Sequence, residues 1–380
     1  MPKRLDVAGY YSLHFPATIP LLAAAAALYG WAAMATIALV VISALAAVLV
    51  WRRVGRRGRL LNPYRCAYMA LVLSLALPPH LLGLNHPATW PIVPAAGILL
   101  IALTWLLGPL GSGRVQPVLA TYLIIVSFFL PLLTPHRVLR PGRVVTGNLF
   151  DSEYVDPARP RTVAWYRLGR GSNSSEPDAF YISEPAAHEL VSYTSGRQQP
   201  DRFSVSLGMI LRDRLPPLED FIVGGQPGPI GASSAMAVIL GGLLLMHRGL
   251  IDYRIPLLAC LAAAAAMLLL PVPVIIKDTG IEWSWLAFRQ HDLGQALDAS
   301  LVIYELLASP LLFVLFFLAP SGQSQPMSRR GKAVYGILIG LLVAPAQLYG
   351  SVALGPYVAL LLAGLTSVIL DRFLSPRALV

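Results

Sequence analysis

Charged residues are scarce in this 380-residue chain, and cysteine is nearly absent. Only 13% of the residues are Asp, Glu, Lys or Arg, whereas 56% are hydrophobic and the mean hydropathy is +0.65. Soluble globular chains carry roughly a quarter charged residues, so this composition excludes two or three ordinary soluble domains. The two cysteines, Cys66 and Cys260, lie in separate apolar stretches, which excludes a disulfide framework and a cysteine-rich metal or iron-sulfur centre.

Long stretches without charge predict membrane-spanning helices. No charged residue occurs from Val7 to Trp51, and these 45 residues would form a helix of about 68 Å, more than twice the roughly 30 Å hydrocarbon core. We therefore expect the run to fold back at Tyr29-Gly30. The same reasoning predicts ten transmembrane helices, at residues 14–29, 31–51, 66–83, 90–107, 116–134, 229–247, 254–272, 298–319, 333–350 and 352–371.

The predicted helices form two groups of five around one polar segment. We expect a first membrane half at 1–134, an extracytoplasmic insertion at 135–226 and a second membrane half at 227–380. Because each half has an odd number of spans, an internal repeat would be inverted in the membrane. Weak similarity between residues 73–108 and 315–350 favours such a repeat, with chance similarity as the alternative. The predicted fold class is an all-α polytopic membrane protein.

The basic residues predict the orientation of the chain. The polar segment has 11 Arg against 11 Asp and Glu, so the whole net charge of +10 belongs to the membrane part. Nearly all basic residues of the short loops fall on one side, led by the arginines from Arg52 to Arg65, and such loops stay in the cytoplasm. We expect a multi-pass protein of the cytoplasmic (inner) membrane with both termini cytoplasmic and no cleaved signal peptide. A nucleic-acid partner is not expected, since it requires a basic patch on a soluble face.

A segment rich in glycine, proline and serine precedes the sixth predicted helix. Glycine lets another group approach the backbone, and serine can cap the free N–H groups of a helix start, where phosphates and carboxylates bind. This pattern makes four residues candidates for cofactor binding: Gly228, Gly231, Ser233 and Ser234. The alternative is an ordinary connection from a loop to a helix.

Glu305 is the one acidic residue clearly at membrane depth, inside the eighth predicted helix. Intramembrane carboxylates are costly and often take part in ion or proton transfer, so Glu305 is the candidate ion-coupling residue. The alternative is a carboxyl group hydrogen-bonded within the bundle. The sequence has no paired metal-ligand spacing, nucleophile elbow or phosphate loop. We therefore expect no metal site and no catalytic residues of a self-contained enzyme.

Residues 228–257 (GPIGASSAMAVILGGLLLMHRGLIDYRIPL) resemble the D subunit of the Rnf electron-transport complex and the homologous B subunit of the Na+-translocating NADH:quinone oxidoreductase. The shared features are a glycine-serine turn, a helix with a Gly-Gly pair and an ending similar to Asp-Trp-Arg-Ile-Pro. Further similarity lies at residues 28–33, 76–79, 218–224 and 330–372. This RnfD/NqrB resemblance implies a ten-helix, urea-transporter-like membrane subunit of an ion-coupled electron-transport complex, with the other subunits as partners.

The resemblance also implies a flavoprotein. Family members carry FMN covalently on a threonine of a Ser-Gly-Ala-Thr motif, and some bind a noncovalent flavin. In the counterpart here, Ser195-Gly196-Arg197-Gln198, Gln198 stands at the threonine position. Glutamine has no hydroxyl group to form the phosphoester, so no covalent FMN is expected.

Other family positions differ in the same way. Gln116-Pro117-Val118 corresponds to an Asn-Pro-Ala motif, Ala319-Pro320 to the start of Asp-Pro-Val-Thr, and Ala232-Ser233 to Glu-Thr. The resemblance then implies a non-autonomous oxidoreductase subunit that relays electrons through noncovalent FMN or riboflavin. The alternative from another class is a flavin-free membrane scaffold, or a small-solute channel or transporter on the same fold.

Overall fold

The computed structural model describes residues 11–54, 61–82, 89–107, 115–133, 222–224, 229–276, 280–285, 296–320, 325–350 and 354–374. The predicted insertion lies outside these residues except for its positions 222–224. Among these residues, the first half contains five α-helices, α1 (Phe15–Tyr29), α2 (Trp31–Val54), α3 (Pro63–Ala76), α4 (Ile92–Leu107) and α5 (Pro117–Leu133), and a short 3-10 helix at Pro79–Leu82.

In the described part of the second half, the chain forms helices and a β-hairpin. Its helices are α6 (Ala235–His247), α7 (Arg254–Leu269), α8 (Ala296–Ala308), the short α9 (Leu311–Phe313), α10 (Arg329–Pro345) and α11 (Gly355–Leu374). Two of them continue as π-helices: α9 into Val314–Leu318 and α10 into Ala346–Gly350. The hairpin pairs β1 (Pro271–Ile276) with β2 (Gly280–Trp285) in antiparallel register.

The predicted fold-back between the first two helices is confirmed. Gly30 ends α1 with φ 65°, a left-handed conformation that glycine adopts without steric cost. Its N–H donates to the carbonyl oxygen of Ala26 at 3.1 Å. The chain therefore reverses at the residue pair that the span length requires.

A helix lies in each of the ten predicted stretches. Among the described residues, three helices are long and apolar enough to cross a membrane, namely Trp31–Arg53, Arg329–Gly350 and Gly355–Phe373. Other apolar helices, such as Ile92–Leu107, have 10–17 residues. The chain is thus a mostly helical, polytopic membrane protein. The number of spans, the inverted repeat and the urea-transporter-like arrangement stay predictions.

The helix predicted at 66–83 is shorter than its predicted bounds, and the helix predicted at 298–319 is interrupted. The first ends at Ala76, because Leu77 is extended before Pro78, and a residue before proline disfavours the helical conformation. The second is interrupted after Ala308, where Pro310 lacks the N–H that a continuous helix needs. Proline therefore divides a predicted span in both halves of the protein.

The hairpin is a second departure from the prediction, which was all-α. Pro271 and Pro273 interrupt helix formation, while the Val and Ile residues between and after them favour an extended chain. In the register of the two strands, Val274 lies opposite Glu282. The Tyr349 hydroxyl donates to the carbonyl oxygen of Pro271 at 2.9 Å, which ties the hairpin to the π-helical end of α10.

The second half is held together by close packing of α7 against α10. A Cβ atom added at Gly336 would lie 2.9 Å from the carbonyl oxygen of Ile255, so the two backbones are in near contact. At the start of these helices, Lys332 Nζ lies 3.7 Å from Asp252 Oδ2. The two helices are therefore held together by close backbone contact in the interior and by opposite charges at one end.

Candidate functional site

The glycine-serine turn before α6 is bonded to the end of α3. The N–H of Ile230 donates to the carbonyl oxygen of Leu77 at 3.0 Å, and the N–H of Gly231 donates to that of Leu75 at 2.7 Å. Both acceptors lie where α3 breaks, since Leu77 is its C-cap. The turn of the second half thus takes up carbonyl groups that the helix break in the first half leaves unbonded.

Gly231 is required at this contact. A Cβ atom on it would lie 2.7 Å from the Cβ of Leu75 and 3.1 Å from the Cε2 of Phe313. Real Cβ atoms do not approach a neighbour that closely, so a larger residue would separate the turn from α3. The glycine predicted to admit a ligand therefore admits the protein's own backbone.

The two candidate serines are also engaged within the protein. Ser233 is 1% exposed, and its hydroxyl donates to the carbonyl oxygen of Ile230 at 3.0 Å and pairs with the Tyr29 side chain. Ser234 is 2% exposed; its Oγ accepts from the N–H of Ala237 and donates to the carbonyl oxygen of Ile222, both at 3.3 Å. Ser234 is thus the N-cap of α6.

These contacts make the described part of the turn a poor fit for a flavin phosphate. The N–H of Gly231 and both serine hydroxyls already have partners, and the serines are buried. Gly228, the fourth candidate, lies outside the described residues, as does Gln198 at the position of the covalent linkage. We therefore derive no step through a phosphate bound at this turn.

A cavity of about 300 Å³ lies near the starts of α1, α3 and α5. We call it the Arg65 cavity. Its polar lining residues all belong to these helix starts or precede them: Tyr11, His14, Arg65, Tyr68 and Gln116. Its apolar lining residues come from α3 and α5, from α6 and the segment after it, and from the π-helix Val314–Leu318 and the segment after it: Met69, Val72, Val118, Leu245, Ile251, Phe316, Phe317 and Pro320.

Two polar side chains of the Arg65 cavity have buried atoms without a hydrogen-bond partner. They are the Nε atom of Arg65 and the Oε1 atom of Gln116, and the Gln116 side chain is largely buried, with 5% of the residue exposed. Leaving such a group unsatisfied costs about 1–3 kcal/mol. A ligand that offers an acceptor to Arg65 and a donor to Gln116 would recover that energy.

Aromatic rings line one side of the same cavity. The ring centroids of His14 and Tyr68 are 5.1 Å apart, and that of Tyr11 lies 5.9 Å from His14 and 6.0 Å from Tyr68. Contacting rings at these distances present faces and edges on which a planar group can stack. The cavity therefore combines an unsatisfied amide, a cation and an aromatic wall.

Glu305 lies on the protein-facing side of α8 and is 1% exposed. Val302 and Ser309, three residues before it and four after it, are also buried, as expected for one helical face. The carboxyl group is thus inside the bundle and away from lipid. Among the described residues no group of three or more His, Cys, Asp or Glu could hold a metal ion.

The comparisons with known proteins identify the chain's relatives. The model of the NQR2, RnfD, RnfE family matches residues 3–379. The chain belongs to this family. Its relatives include the D subunit of the Na(+)-translocating ferredoxin:NAD(+) oxidoreductase complex of Acetobacterium woodii, 23% identical over 363 residues that cover 95% of this chain and 87% of the relative. The D subunit of the ion-translocating oxidoreductase complex of Yersinia pseudotuberculosis is 25% identical over 367 residues, or 95% and 91% of the two chains.

Two segments that the resemblance aligns with motifs of the NQR2, RnfD, RnfE family contribute residues to the Arg65 cavity. Gln116 stands in place of the asparagine of Asn-Pro-Ala, and Pro320 matches the proline of Asp-Pro-Val-Thr, in which Ala319 replaces the aspartate; Gln116 and Pro320 line the cavity. The changed motifs are visible in the sequence, but their proximity is a property of the fold. Arg65, Tyr68 and the aromatic wall are not among the predicted site residues, although the two changed motifs were a usable signal.

Proposed function

We propose that this protein is a membrane subunit of an Rnf-type complex that couples electron transfer to ion translocation. The observation that carries the proposal is the family match over residues 3–379, together with relatives named as the D subunits of such complexes. The mostly helical, apolar fold supports a place in the membrane. Other subunits of the complex are its partners, and the chain is not an autonomous enzyme.

We further propose that the subunit lies in the cytoplasmic membrane with both termini in the cytoplasm. The arginines from Arg52 to Arg65 support this orientation, because short basic loops remain on the cytoplasmic side. The Arg65 cavity lies at that end of the helix bundle, since Arg65 is in the first turn of α3. A cofactor in the cavity would then be close to cytoplasmic electron-transfer partners.

A noncovalent flavin, FMN or riboflavin, is the proposed cofactor, and the Arg65 cavity is its proposed place. When bound, a flavin supplies one- and two-electron redox chemistry. The residues present fit such a group: the Gln116 amide offers a donor and an acceptor to the polar edge of a flavin ring. The rings of Tyr68 and His14 offer a surface for stacking, and the surrounding apolar side chains exclude water.

A flavin-free membrane scaffold is the second candidate, and two observations favour it. Gln198 cannot form the phosphoester of a covalent flavin, and Ser233 and Ser234 use their hydroxyl groups within the fold. Under this alternative the subunit positions its partners without relaying electrons itself. The Arg65 cavity would then be occupied by something other than a flavin.

Flavin analysis of the purified complex separates these two candidates. We expect the denatured band of this chain to show no flavin fluorescence, because no hydroxyl is present at Gln198. We also expect acid precipitation of the wild-type complex to release a noncovalent flavin. The released amount should fall when Gln116 is changed to Leu, which would assign that flavin to this chain. A fluorescent band would contradict the noncovalent proposal. Flavin release that is the same in wild type and Gln116→Leu would favour the scaffold.

Glu305 is the proposed ion-coupling residue. Its burial on the protein-facing side of α8 supports a role inside the bundle, where a carboxylate can exchange a proton or ligate a cation during transport. Loss of its charge would then affect ion movement more than assembly. The identity of the ion, Na+ or H+, follows from which gradient the complex generates.

A further inference from the structure

Gln347 is a fully buried polar residue that does not line the Arg65 cavity. It lies in the π-helix Ala346–Gly350, in which α10 ends, and it is 0% exposed. Among the described residues, neither polar atom of its side chain, Oε1 or Nε2, has a hydrogen-bond partner. Buried polar atoms normally have partners, and leaving them without one is costly. The amide therefore needs a ligand that donates one hydrogen bond and accepts another.

The helix end around Gln347 adds backbone acceptors to this amide. The last carbonyl groups of a helix have no partner within it. The change from α to π bonding also moves the partner of each N–H from the carbonyl four residues back to the one five residues back. Such π-helical turns are frequent at functional sites. A ligand beside Gln347 is therefore close to carbonyl oxygens as well as to the side-chain amide.

The first turn of α11 packs directly on this helix end. A Cβ atom added at Gly355 would lie 3.2 Å from the carbonyl oxygen of Ala346 and 3.2 Å from the Cγ of Gln347. Tyr357, in the same turn, is 0% exposed, and its ring centroid lies 4.2 Å from that of Tyr122 in α5. Gln347 is thus enclosed between α10 and α11, so its ligand must be small.

The two segments that meet here are neutral. Residues 346–350 (AQLYG) and 355–362 (GPYVALLL) contain no Asp, Glu, Lys, Arg or His. The ion pair of Lys332 with Asp252 lies at the opposite end of α10. Buried charges are normally paired with an opposite charge or bound to a metal, and these segments offer no such charge. The ligand that fits is therefore neutral and both donates and accepts hydrogen bonds.

Water has a short route to this place. The 17 residues of α10 that precede the π-helix rise about 26 Å, and the hydrocarbon core is roughly 30 Å thick. Gln347 therefore lies near the boundary of the core that is opposite the start of α10. Gly350, within one turn of Gln347, is exposed, and among the described residues nothing lies within 4 Å of a Cβ atom placed there.

We propose that Gln347 binds an ordered water molecule that bridges the π-helical end of α10 and the first turn of α11. Water donates to Oε1 and accepts from Nε2 of the same primary amide, in a cyclic pair. Its second O–H donates to a carbonyl oxygen of the helix end, which completes the roughly three hydrogen bonds typical of a buried water. The inference depends on neither a flavin nor electron transfer, so it stands or falls separately from the proposed function.

Radiolytic footprinting of the protein purified with its accompanying subunits tests the inference. Intense X-rays convert bound water to hydroxyl radicals in place, and mass spectrometry locates the oxidised side chains. The reporters are Tyr357 and Leu348, which are 0% and 1% exposed, and the matched controls are Phe313 and Leu311, both 0% exposed. With each rate normalised to that of the denatured chain, we expect the reporters to react about fivefold or more faster than the controls. Equal rates of reporters and controls would overturn the inference.

Two variants show whether the amide holds the water. Gln347→Leu removes both polar atoms, so oxidation of the reporters should fall to the rate of the controls. Gln347→Asn retains an amide and should keep oxidation within about twofold of wild type. Unchanged oxidation in Gln347→Leu would contradict the inference. Thermal unfolding shows whether each variant is folded, and the comparison of reporters with controls in wild type decides the matter if Gln347→Leu is not.

Replacing Na+ by choline at constant ionic strength distinguishes water from a bound cation. Because the proposed ligand is neutral, the exchange should shift the unfolding temperatures of wild type and Gln347→Leu alike. A stabilisation by Na+ that is present in wild type and lost in Gln347→Leu would show a cation at this place. That result would also overturn the inference.

Discussion

Replacing Glu305 by glutamine is expected to reduce strongly the ion transport that is driven by electron flow through the complex. Glutamine keeps the size of the side chain but removes the charge from a position that is 1% exposed inside the bundle. Transport should fall about tenfold or more, since each 1.4 kcal/mol of lost ion or proton stabilisation is a factor of ten. The measurement is ion uptake into vesicles that contain the complex, normalised to the rate of electron transfer.

The conservative variant Glu305→Asp is the matched control. It retains a carboxylate on the same face of α8, so we expect part of the transport to remain. Both variants should assemble with the other subunits, which blue-native electrophoresis measures. Full transport by the glutamine variant in an assembled complex would exclude Glu305 from ion coupling and leave it a buried structural carboxyl group.

Replacing Gly231 by alanine is expected to lower the stability of the protein. The added Cβ atom would lie 2.7 Å from the Cβ of Leu75 and 3.1 Å from its carbonyl oxygen. The turn would then move away from α3 and weaken the hydrogen bonds to Leu75 and Leu77. Such overpacking costs about 1–3 kcal/mol, and the thermal unfolding temperature of the purified protein should fall accordingly.

Gly350→Ala is the control for this substitution. Among the described residues, nothing lies within 4 Å of a Cβ atom placed at Gly350, so its unfolding temperature should stay near that of wild type. An equal, small effect of the two substitutions would mean that the contact between the turn and α3 does not hold the two halves together.

Local signals were sufficient to predict much of the fold. The uncharged run from Val7 to Trp51 requires a reversal, and Gly30 is the residue that permits one. Helix breaks depend instead on where proline falls relative to packing, so the interruption at Pro310 was missed. The strand at Pro271–Ile276 was missed because a short apolar run fits a strand and a helix end equally well.

The candidate site was harder to predict because it is assembled from distant segments. Serines at a helix start suggest an open anion site, but whether Ser233 and Ser234 are free depends on Tyr29 and Ile222, which only the fold brings near. The spacing of Arg65, Tyr68, Met69 and Val72 on α3 is visible in the sequence, yet it is also the pattern of an ordinary core face. The unsatisfied atom of Gln116 is a tertiary property.

The most direct test of the account is the composition of the assembly that contains this chain. We expect the chain, purified from its native membrane in mild detergent with a terminal tag, to carry with it the other subunits of an ion-translocating oxidoreductase. Mass spectrometry of the isolated assembly should identify those subunits, and the assembly should transfer electrons. Isolation of the chain as a homo-oligomer, with no redox subunit and no electron transfer, would contradict the proposed function.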